Sequence, residues 1–147
     1  SNSDVQVALA EAAASARGLE AVRFSVSSSN EIQQVVESMV GKVDVVYTPT
    51  DNTIAAGMTT VTMIANDNKL PTICGEEGMV DNGGLATYGI NYEELGKLAG
   101  QMAVKILKGE SKPADMAIEH LDASKCTLKT NEETAKKLGI DLSVLNS

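Results

Sequence analysis

The sequence predicts a single α/β domain over residues 1–147, a three-layer sandwich with a parallel sheet between helices. Short apolar runs typical of buried strands alternate along the chain with segments whose apolar residues recur at helical spacing. The length of 147 residues is that of one ordinary domain. Strands that alternate with helices pair in parallel through right-handed crossovers, because each helix returns the chain to the same edge of the sheet.

The composition supports a packed core and excludes several kinds of partner. Hydrophobic residues make up 43% of the chain but aromatic residues only 3%, so the core must be built from aliphatic side chains and methionine. The net charge of −8 argues against nucleic acid or an anionic membrane, which require clustered cations. No apolar run approaches the roughly 20 residues needed to span a bilayer. Cys74 and Cys126 form no metal pattern, and two buried thiols are favoured over a disulfide.

The first 41 residues predict helix, strand and helix. An alanine-rich helix over residues 4–17 would be capped by Ser3 or Asn2. Residues 20–26 alternate apolar and polar side chains, which predicts a strand. A helix over residues 32–40 follows, with Ser28 and Glu31 at capping-box spacing before it. The chain therefore starts on a helix, as if the strand of its first βα unit were missing.

The stretch from Val43 to Met58 is predicted to hold a buried strand, a polar turn and the start of a helix. Valines at 43, 45 and 46 form the strand, and the turn Thr48–Thr53 interrupts it. Helical spacing of apolar residues resumes at Ile54. In open α/β sheets, small ligands bind at such turns, beyond the carboxyl ends of the strands.

The second half of the chain repeats this alternation. The clearest helix opens at Asn91, which has capping-box spacing with Glu94. Thr130 and Glu133 have the same spacing before a short helix that ends near Gly139. The tail after Asp141 is expected to be loosely held. The predicted strands are 71–74, 85–90, 116–121 and a segment around Cys126 and Leu128, with a short helix between the first two.

No motif for catalysis or for a cofactor is found. His120 is the single histidine, and no Ser/His/Asp or Cys/His set can be assembled around it. There is no glycine-rich nucleotide motif and no His/Cys metal pattern. Adjacent residues usually point apart, so Glu76 and Glu77 are weak candidates for a catalytic pair. The sequence therefore predicts neither an enzyme, nor a cofactor, nor a metal site.

Polar side chains instead cluster in three turns that follow predicted strands and would converge at one edge of the sheet. Their carboxylates could bind an ammonium group, and their amides, hydroxyls and backbone N–H groups a carboxylate, as an amino acid requires. Each residue could also be only a turn or cap residue, and for Thr53 and Asn91 the two interpretations are equally supported. A binding role is favoured for Asp51 and Asn52 and for one of the two glutamates. The candidate ligand-binding residues are Thr50, Asp51, Asn52, Thr53, Glu76, Glu77 and Asn91.

Three segments resemble one known family, the ABC-transporter substrate-binding proteins of the tryptophan/tyrosine-binding type. They are TPTDNTIAAGM, ICGEEGMVDNGGLATYGINYEELGKLAGQMAVKILKG and LKTNEETAKKLGI, and the resemblance covers nearly the whole chain. It implies one lobe of a type I periplasmic-binding-protein fold, in which two α/β lobes close on a small ligand. It further implies export, a lipoprotein tether to the membrane, and ABC permease subunits as partners.

The resemblance also implies that this chain corresponds to the carboxyl-terminal half of such a protein. An amino-terminal lobe, and one more strand just before Asn2, would then lie upstream. The helix within residues 92–109 would pack on that lobe or on a partner chain. Its apolar face, formed by Leu95, Leu98, Met102 and Ile106, would otherwise be exposed, which predicts a homodimer or an exchange of elements between two copies.

By the same resemblance, the seven candidate residues match two binding loops and a hinge-side position. Thr50–Thr53 match the first loop, Glu76 and Glu77 the second, and Asn91 the hinge side. Many relatives carry aspartate where this chain has Glu76. The predicted function is capture of an amino acid, aromatic or branched, for an ABC importer. The alternative is the ligand-sensing domain of a transcription regulator, which can share this fold.

Overall fold

The computed structural model describes residues 3–146, leaving out the side chain of Asn146, and contains a four-stranded sheet flanked by helices. The strands are β1 (Val46–Thr48), β2 (Thr72–Cys74), β3 (Ala86–Ile90) and β4 (Cys126–Thr130). The α-helices are α1 (Asp4–Ser15), α2 (Ile32–Met39), α3 (Asn52–Ala56), α4 (Met58–Asp67), α5 (Glu77–Asp81), α6 (Tyr92–Leu107) and α7 (Glu132–Leu138). Short 3-10 turns occupy Ser29–Glu31, Pro113–Asp115, Ala123–Lys125 and Leu142–Asn146.

The sheet has the order β1-β2-β3-β4 and is parallel except at one edge. Val46 of β1 is opposite Thr72 of β2, and Ile73 is opposite Ala86 of β3. Strand β4 runs antiparallel to β3. This arrangement confirms the predicted α/β fold, and it places the carboxyl ends of β1, β2 and β3 at a common edge.

Apolar side chains pack on both faces of the sheet, although Tyr47, Tyr88 and Ile90 of its strands stay exposed. On one face, α2, α4 and α5 pack together through Ile32, Met58 and Met79, which are almost fully buried. On the other face, Ala135 of α7 packs with Leu85 and Ala86. The predicted sandwich is therefore built from aliphatic residues and methionine, as the composition requires.

Two predicted strands are wrong. Residues 20–26 and 116–121 contain no strand, and no backbone–backbone hydrogen bond is found for residues 20–26 within the described chain. Val22 is 59% exposed, although Val26 packs against the core. An alternating pattern becomes a strand only when a neighbouring strand supplies hydrogen bonds. Strand β1 is accordingly the edge of the sheet.

Several predicted helix boundaries also differ. The helix predicted from Ile54 is divided at Gly57 into α3 and α4. Asn131, rather than Thr130, caps α7, because its side chain accepts a hydrogen bond from the Thr134 N–H. The side chains of Ser28 and Ser3 make no cap, and Asn2 lies outside the described residues.

The tail after Asp141 is held in place rather than loose, which is a further correction. Leu142 and Leu145 pack against the cluster formed by Leu85, Ala86 and Ala135. Apolar side chains in the last residues therefore anchor the end of the chain to the sheet.

Helix α6 is the least covered long element. None of its residues is buried, and Val104, Ile106 and Leu107 are 48%, 37% and 86% exposed. Leu95, Leu98 and Met102, on the predicted apolar face, are half-buried. No helix within residues 3–146 combines the length and apolarity that a bilayer span requires.

Candidate functional site

Three loops leave the sheet at the carboxyl ends of its parallel strands. The first loop, residues 49–53, follows β1, and the second loop, residues 75–77, follows β2. Asn91 follows β3 directly. The Gly75 N–H donates to the Thr48 carbonyl at 2.8 Å, so the ladder of β1 and β2 continues into the second loop. The parallel topology therefore places all three loops along one edge.

The first and second loops are in direct contact. The Thr50 hydroxyl donates to the Gly75 carbonyl at 3.1 Å. A Cβ atom at Gly75 would lie only 2.5 Å from the Thr50 nitrogen, so the approach requires glycine there. The two loops, which are predicted to converge, are thus joined by a side chain-to-backbone hydrogen bond and a close approach of their backbones.

Asp51 is half-buried and caps α3. Its Oδ1 accepts from the Thr53 N–H at 2.9 Å and from the Ile54 N–H at 3.4 Å. Its Oδ2 accepts from the Ser3 hydroxyl at 3.3 Å. A carboxylate has about four lone-pair sites, so this one can also accept from an ammonium group. Asn52, the next residue, is exposed, and Thr53 is half-buried.

Glu76 and Glu77 have different surroundings. Glu76 caps α5, since its two carboxylate oxygens accept from the N–H groups of Gly78 at 2.8 Å and Met79 at 2.7 Å. Glu77 lies in the first turn of α5 and accepts from the Thr127 hydroxyl at 3.4 Å. Glu77 therefore has the less occupied carboxylate of the two.

Asn91 caps α6, as its spacing predicts. Its Oδ1 accepts from the N–H groups of Glu93 and Glu94 at 3.0 and 3.1 Å. Among the described residues, no hydrogen bond joins Asn91 to the first or second loop. The end of β3 nevertheless lies beside the second loop, because a Cβ atom at Gly89 would be 3.8 Å from Glu76 Cα.

The structure adds two residues at the start of α1 that sequence reasoning did not connect with the site, Gln6 and, directly before the helix, Ser3. Ser3 contacts Asp51, and Gln6 forms two hydrogen bonds with the backbone of Thr50. These contacts join residues more than 40 positions apart. Gln6 lies in an alanine-rich helix with no motif around it, so no local signal could have indicated its role.

The edge carries groups that suit a zwitterion. Asp51 and Glu77 can accept from an ammonium group, while the amide of Asn52 and the hydroxyl of Thr53 can donate to a carboxylate. No group of three or more His, Cys, Asp or Glu side chains that could hold a metal ion is found within residues 3–146. Tyr47, Tyr88 and Tyr92, on β1, β3 and α6, are 40%, 70% and 54% exposed.

A separate polar cavity of about 230 Å³ lies away from this edge. Gly83 precedes β3 and Asn131 follows the antiparallel β4, which places the cavity at the amino ends of the parallel strands. It is lined by Asn66, Asp81, Gly83, Asn131, Glu133, Thr134 and Lys137. None of the seven candidate ligand-binding residues lines it.

Comparison with known proteins gives a family match over almost the whole chain. A family model described as "ABC transporter substrate binding protein" matches residues 1–145. A protein of Clostridioides difficile named "Tyrosine-binding protein" is 42% identical over 137 residues, which are 93% of this chain and 39% of that protein. The chain thus spans well under half of that relative.

Solved structures show the same relationship. A substrate-binding protein with adhesive properties from Clostridium difficile, in a ligand-free open form, is 44% identical with a TM-score of 0.74, and the match covers 95% of this chain and 46% of that one. An ABC domain from Streptococcus pneumoniae in complex with L-Trp is 39% identical with a TM-score of 0.86, covering 99% and 49%. A conserved domain protein from Vibrio cholerae is 25% identical with the same TM-score and coverage.

Proposed function

This chain belongs to the family of ABC transporter substrate-binding proteins, and from that premise we propose that it captures an amino acid, aromatic or branched, for an ABC importer. The observation that carries the proposal is the match to the L-Trp complex at 39% identity over 99% of the chain. The name of the tyrosine-binding relative supports the same ligand class.

In this proposal the ligand lies against the carboxyl edge of the sheet, between this lobe and a second one. Asp51 and either Glu76 or Glu77 accept from the ligand ammonium group. Asn52, Thr53 and Asn91 supply hydroxyl, amide or backbone groups for its carboxylate. The hydroxyl oxygen of Thr50, whose hydrogen is donated to Gly75, can accept from the ammonium group. Closure of the two lobes excludes water, which strengthens each of these charged contacts.

The second lobe is proposed from the extent of the match and from helix α6. The chain spans 46–49% of the length of the three solved structures named above. Helix α6 has no buried residue within this lobe, although it carries apolar side chains on more than one side. Exposed apolar side chains on a helix indicate that another protein surface, which is not part of this lobe, packs against them. We place the helix within residues 92–109 against the second lobe or a partner chain.

The remaining parts of the proposal concern the whole protein. Substrate-binding proteins of ABC importers deliver their ligand to the ABC permease subunits on the outer side of the cytoplasmic membrane. We therefore propose an extracellular or periplasmic location, with a lipoprotein tether. The protein binds and releases its ligand without changing it, and it acts as a carrier rather than an enzyme.

Isothermal titration calorimetry of the full-length protein tests the function. The panel comprises the twenty amino acids, several sugars and several nucleosides, and each ligand is recovered afterwards for mass analysis. Tight binding of L-Trp, L-Tyr or a branched amino acid, recovered unchanged, supports the proposal. Binding of sugars or nucleosides alone would contradict the ligand class, and a chemically altered ligand would contradict the carrier role.

A further inference from the structure

The side chain of Gln6 on α1 holds the backbone of one residue in the first loop. Its Oε1 accepts from the Thr50 N–H at 3.0 Å, and its Nε2 donates to the Thr50 carbonyl at 3.4 Å. Both backbone groups of Thr50 are therefore bound by a single carboxamide, 44 residues away in the chain. A neighbouring strand would make the same pair of bonds with a residue opposite it.

The opposite side of Thr50 is fixed by the second loop. The Thr50 hydroxyl donates to the Gly75 carbonyl. The Thr50 nitrogen lies so close to Gly75 that there is no room for a Cβ atom on residue 75. Thr50 is thus held between α1 on one side and the second loop on the other. It can move only if one of these contacts breaks.

The same turn of α1 also reaches the next residue of the loop. Ser3 and Gln6 are three positions apart, so they lie on the same side of the helix. Ser3 donates to Asp51 Oδ2, while Asp51 Oδ1 caps α3. The position of the Asp51 carboxylate is therefore set from α1 as well as from α3.

We infer that Gln6 is a positioning residue of the ligand site. It acts through Thr50: its carboxamide fixes the first loop so that Asp51, Asn52 and Thr53 present one arrangement to the ligand. A loop that is already ordered loses less conformational freedom on binding, which raises affinity. This inference rests on the proposed function, because it assigns Gln6 a role at that site.

The first test replaces Gln6 in the full-length protein. Gln6→Ala removes both hydrogen bonds, and alanine keeps or improves the helix propensity of α1. Gln34→Ala, an exposed glutamine on α2, is the matched control. We expect Gln6→Ala to weaken binding of L-Trp or L-Tyr by about tenfold, from partial loss of two hydrogen bonds. The Thr50 amide should exchange with deuterium at least about tenfold faster.

The second test distinguishes positioning from a general loss of structure. In Gln6→Glu, the ionised carboxylate still accepts from the Thr50 N–H but cannot donate to the Thr50 carbonyl. When protonated, it can do both, as glutamine does. The Thr50 carbonyl carbon signal in NMR should therefore move away from its wild-type position near neutral pH. It should return towards that position on acidification, with the wild-type protein as the baseline at each pH.

Each outcome decides the inference. Weaker binding and faster Thr50 exchange in Gln6→Ala, with Gln34→Ala unchanged, support it. The inference is overturned if the Thr50 amide exchanges with deuterium at the wild-type rate in Gln6→Ala. It is also overturned if that exchange is faster but the affinity for the amino acid is unchanged. If the wild-type protein binds none of the aromatic or branched amino acids, the proposed function fails. In that case the Thr50 signals still decide whether Gln6 positions the loop.

Discussion

At the scale of single residues, Asp51 has one role in the structure and another in the proposed function, and the two can be separated. As a cap it stabilises α3, and as a carboxylate it can pair with a ligand ammonium group. Asparagine caps a helix about as well as aspartate but carries no charge. Comparing Asp51→Asn with Asp51→Ala therefore separates the two roles.

We expect both Asp51 variants to weaken binding of the amino acid by about 2–4 kcal/mol, because each leaves the ammonium group without its charged partner. Only Asp51→Ala should also lower the free energy of unfolding, by about 1 kcal/mol. Calorimetry and urea denaturation of the full-length protein measure the two quantities. Asp44→Asn, at an exposed position before β1, is the control. A loss of binding below about 0.5 kcal/mol in Asp51→Asn would mean that Asp51 is only a cap.

The two cysteines should differ in reactivity. Burial raises the pKa of the Cys74 thiol to about 11, although hydrogen bonds with Thr48 and Thr72 oppose this rise. Because the thiolate is the reactive form, Cys74 should be alkylated far more slowly than the half-buried Cys126 at pH 8. Mass spectrometry after iodoacetamide treatment measures both rates, with a guanidinium-unfolded sample as the control. Equal rates in the folded protein would show that Cys74 is accessible.

At the scale of elements, the sequence predicted those whose signal is local. Strands β1, β2 and β3 follow from short apolar runs, and α2 and α6 follow from helical spacing and, for α6, from the Asn91 cap. Residues 20–26 carry an equally regular pattern, but a strand also needs a partner, which the pattern cannot supply. The break at Gly57 is also non-local, since a Cβ atom there would lie 2.2 Å from Ile32 Cδ1 of α2.

The candidate site was predictable to the same extent. Parallel topology brings Thr50 and the Glu76 loop together, and the structure joins them through Gly75. The capping roles of Asp51 and Asn91 follow from their places before helices. The contacts of Ser3 and Gln6 could not be predicted, because they depend on how α1 packs and not on any motif.

Helix α6 allows a test of the second lobe. Ile106 lies on the predicted apolar face and Val104 on a different side, and both are exposed in this chain. We expect Ile106→Glu to lower the free energy of unfolding of the full-length protein by about 2 kcal/mol or more, because a charge would enter an apolar contact. In the isolated chain, at concentrations low enough to keep it monomeric, the same change should cost less than about 0.5 kcal/mol. Val104→Glu is the control in both proteins, and a larger effect there would place the contact on the other side of α6.

At the scale of the whole molecule, this chain leaves two surfaces open. One is the edge of β1, where Val45 and Tyr47 are 48% and 40% exposed, and the other is α6. Open strand edges and apolar patches favour association with another chain. We therefore retain the prediction that the isolated chain dimerises or exchanges elements with a second copy.

Light scattering across a range of concentrations tests this prediction. The isolated chain should show the mass of a dimer. The full-length protein should remain a monomer, because the proposed second lobe would cover α6 and the additional strand expected upstream would pair with the edge of β1. A monomeric isolated chain at the highest concentration would rule out the dimer. A dimeric full-length protein would indicate that a different surface is involved.

The aromatic residues give this chain an optical property. It contains three tyrosines and no tryptophan, and Tyr47, Tyr88 and Tyr92 are all exposed, on or beside strands that lead to the candidate site. Light at the long-wavelength end of aromatic absorption would therefore excite a bound tryptophan but not this chain. Light absorbed by the tyrosines could reach the same tryptophan by energy transfer. If the ligand under the proposed function is tryptophan, the fluorescence of that tryptophan would therefore report binding without a label.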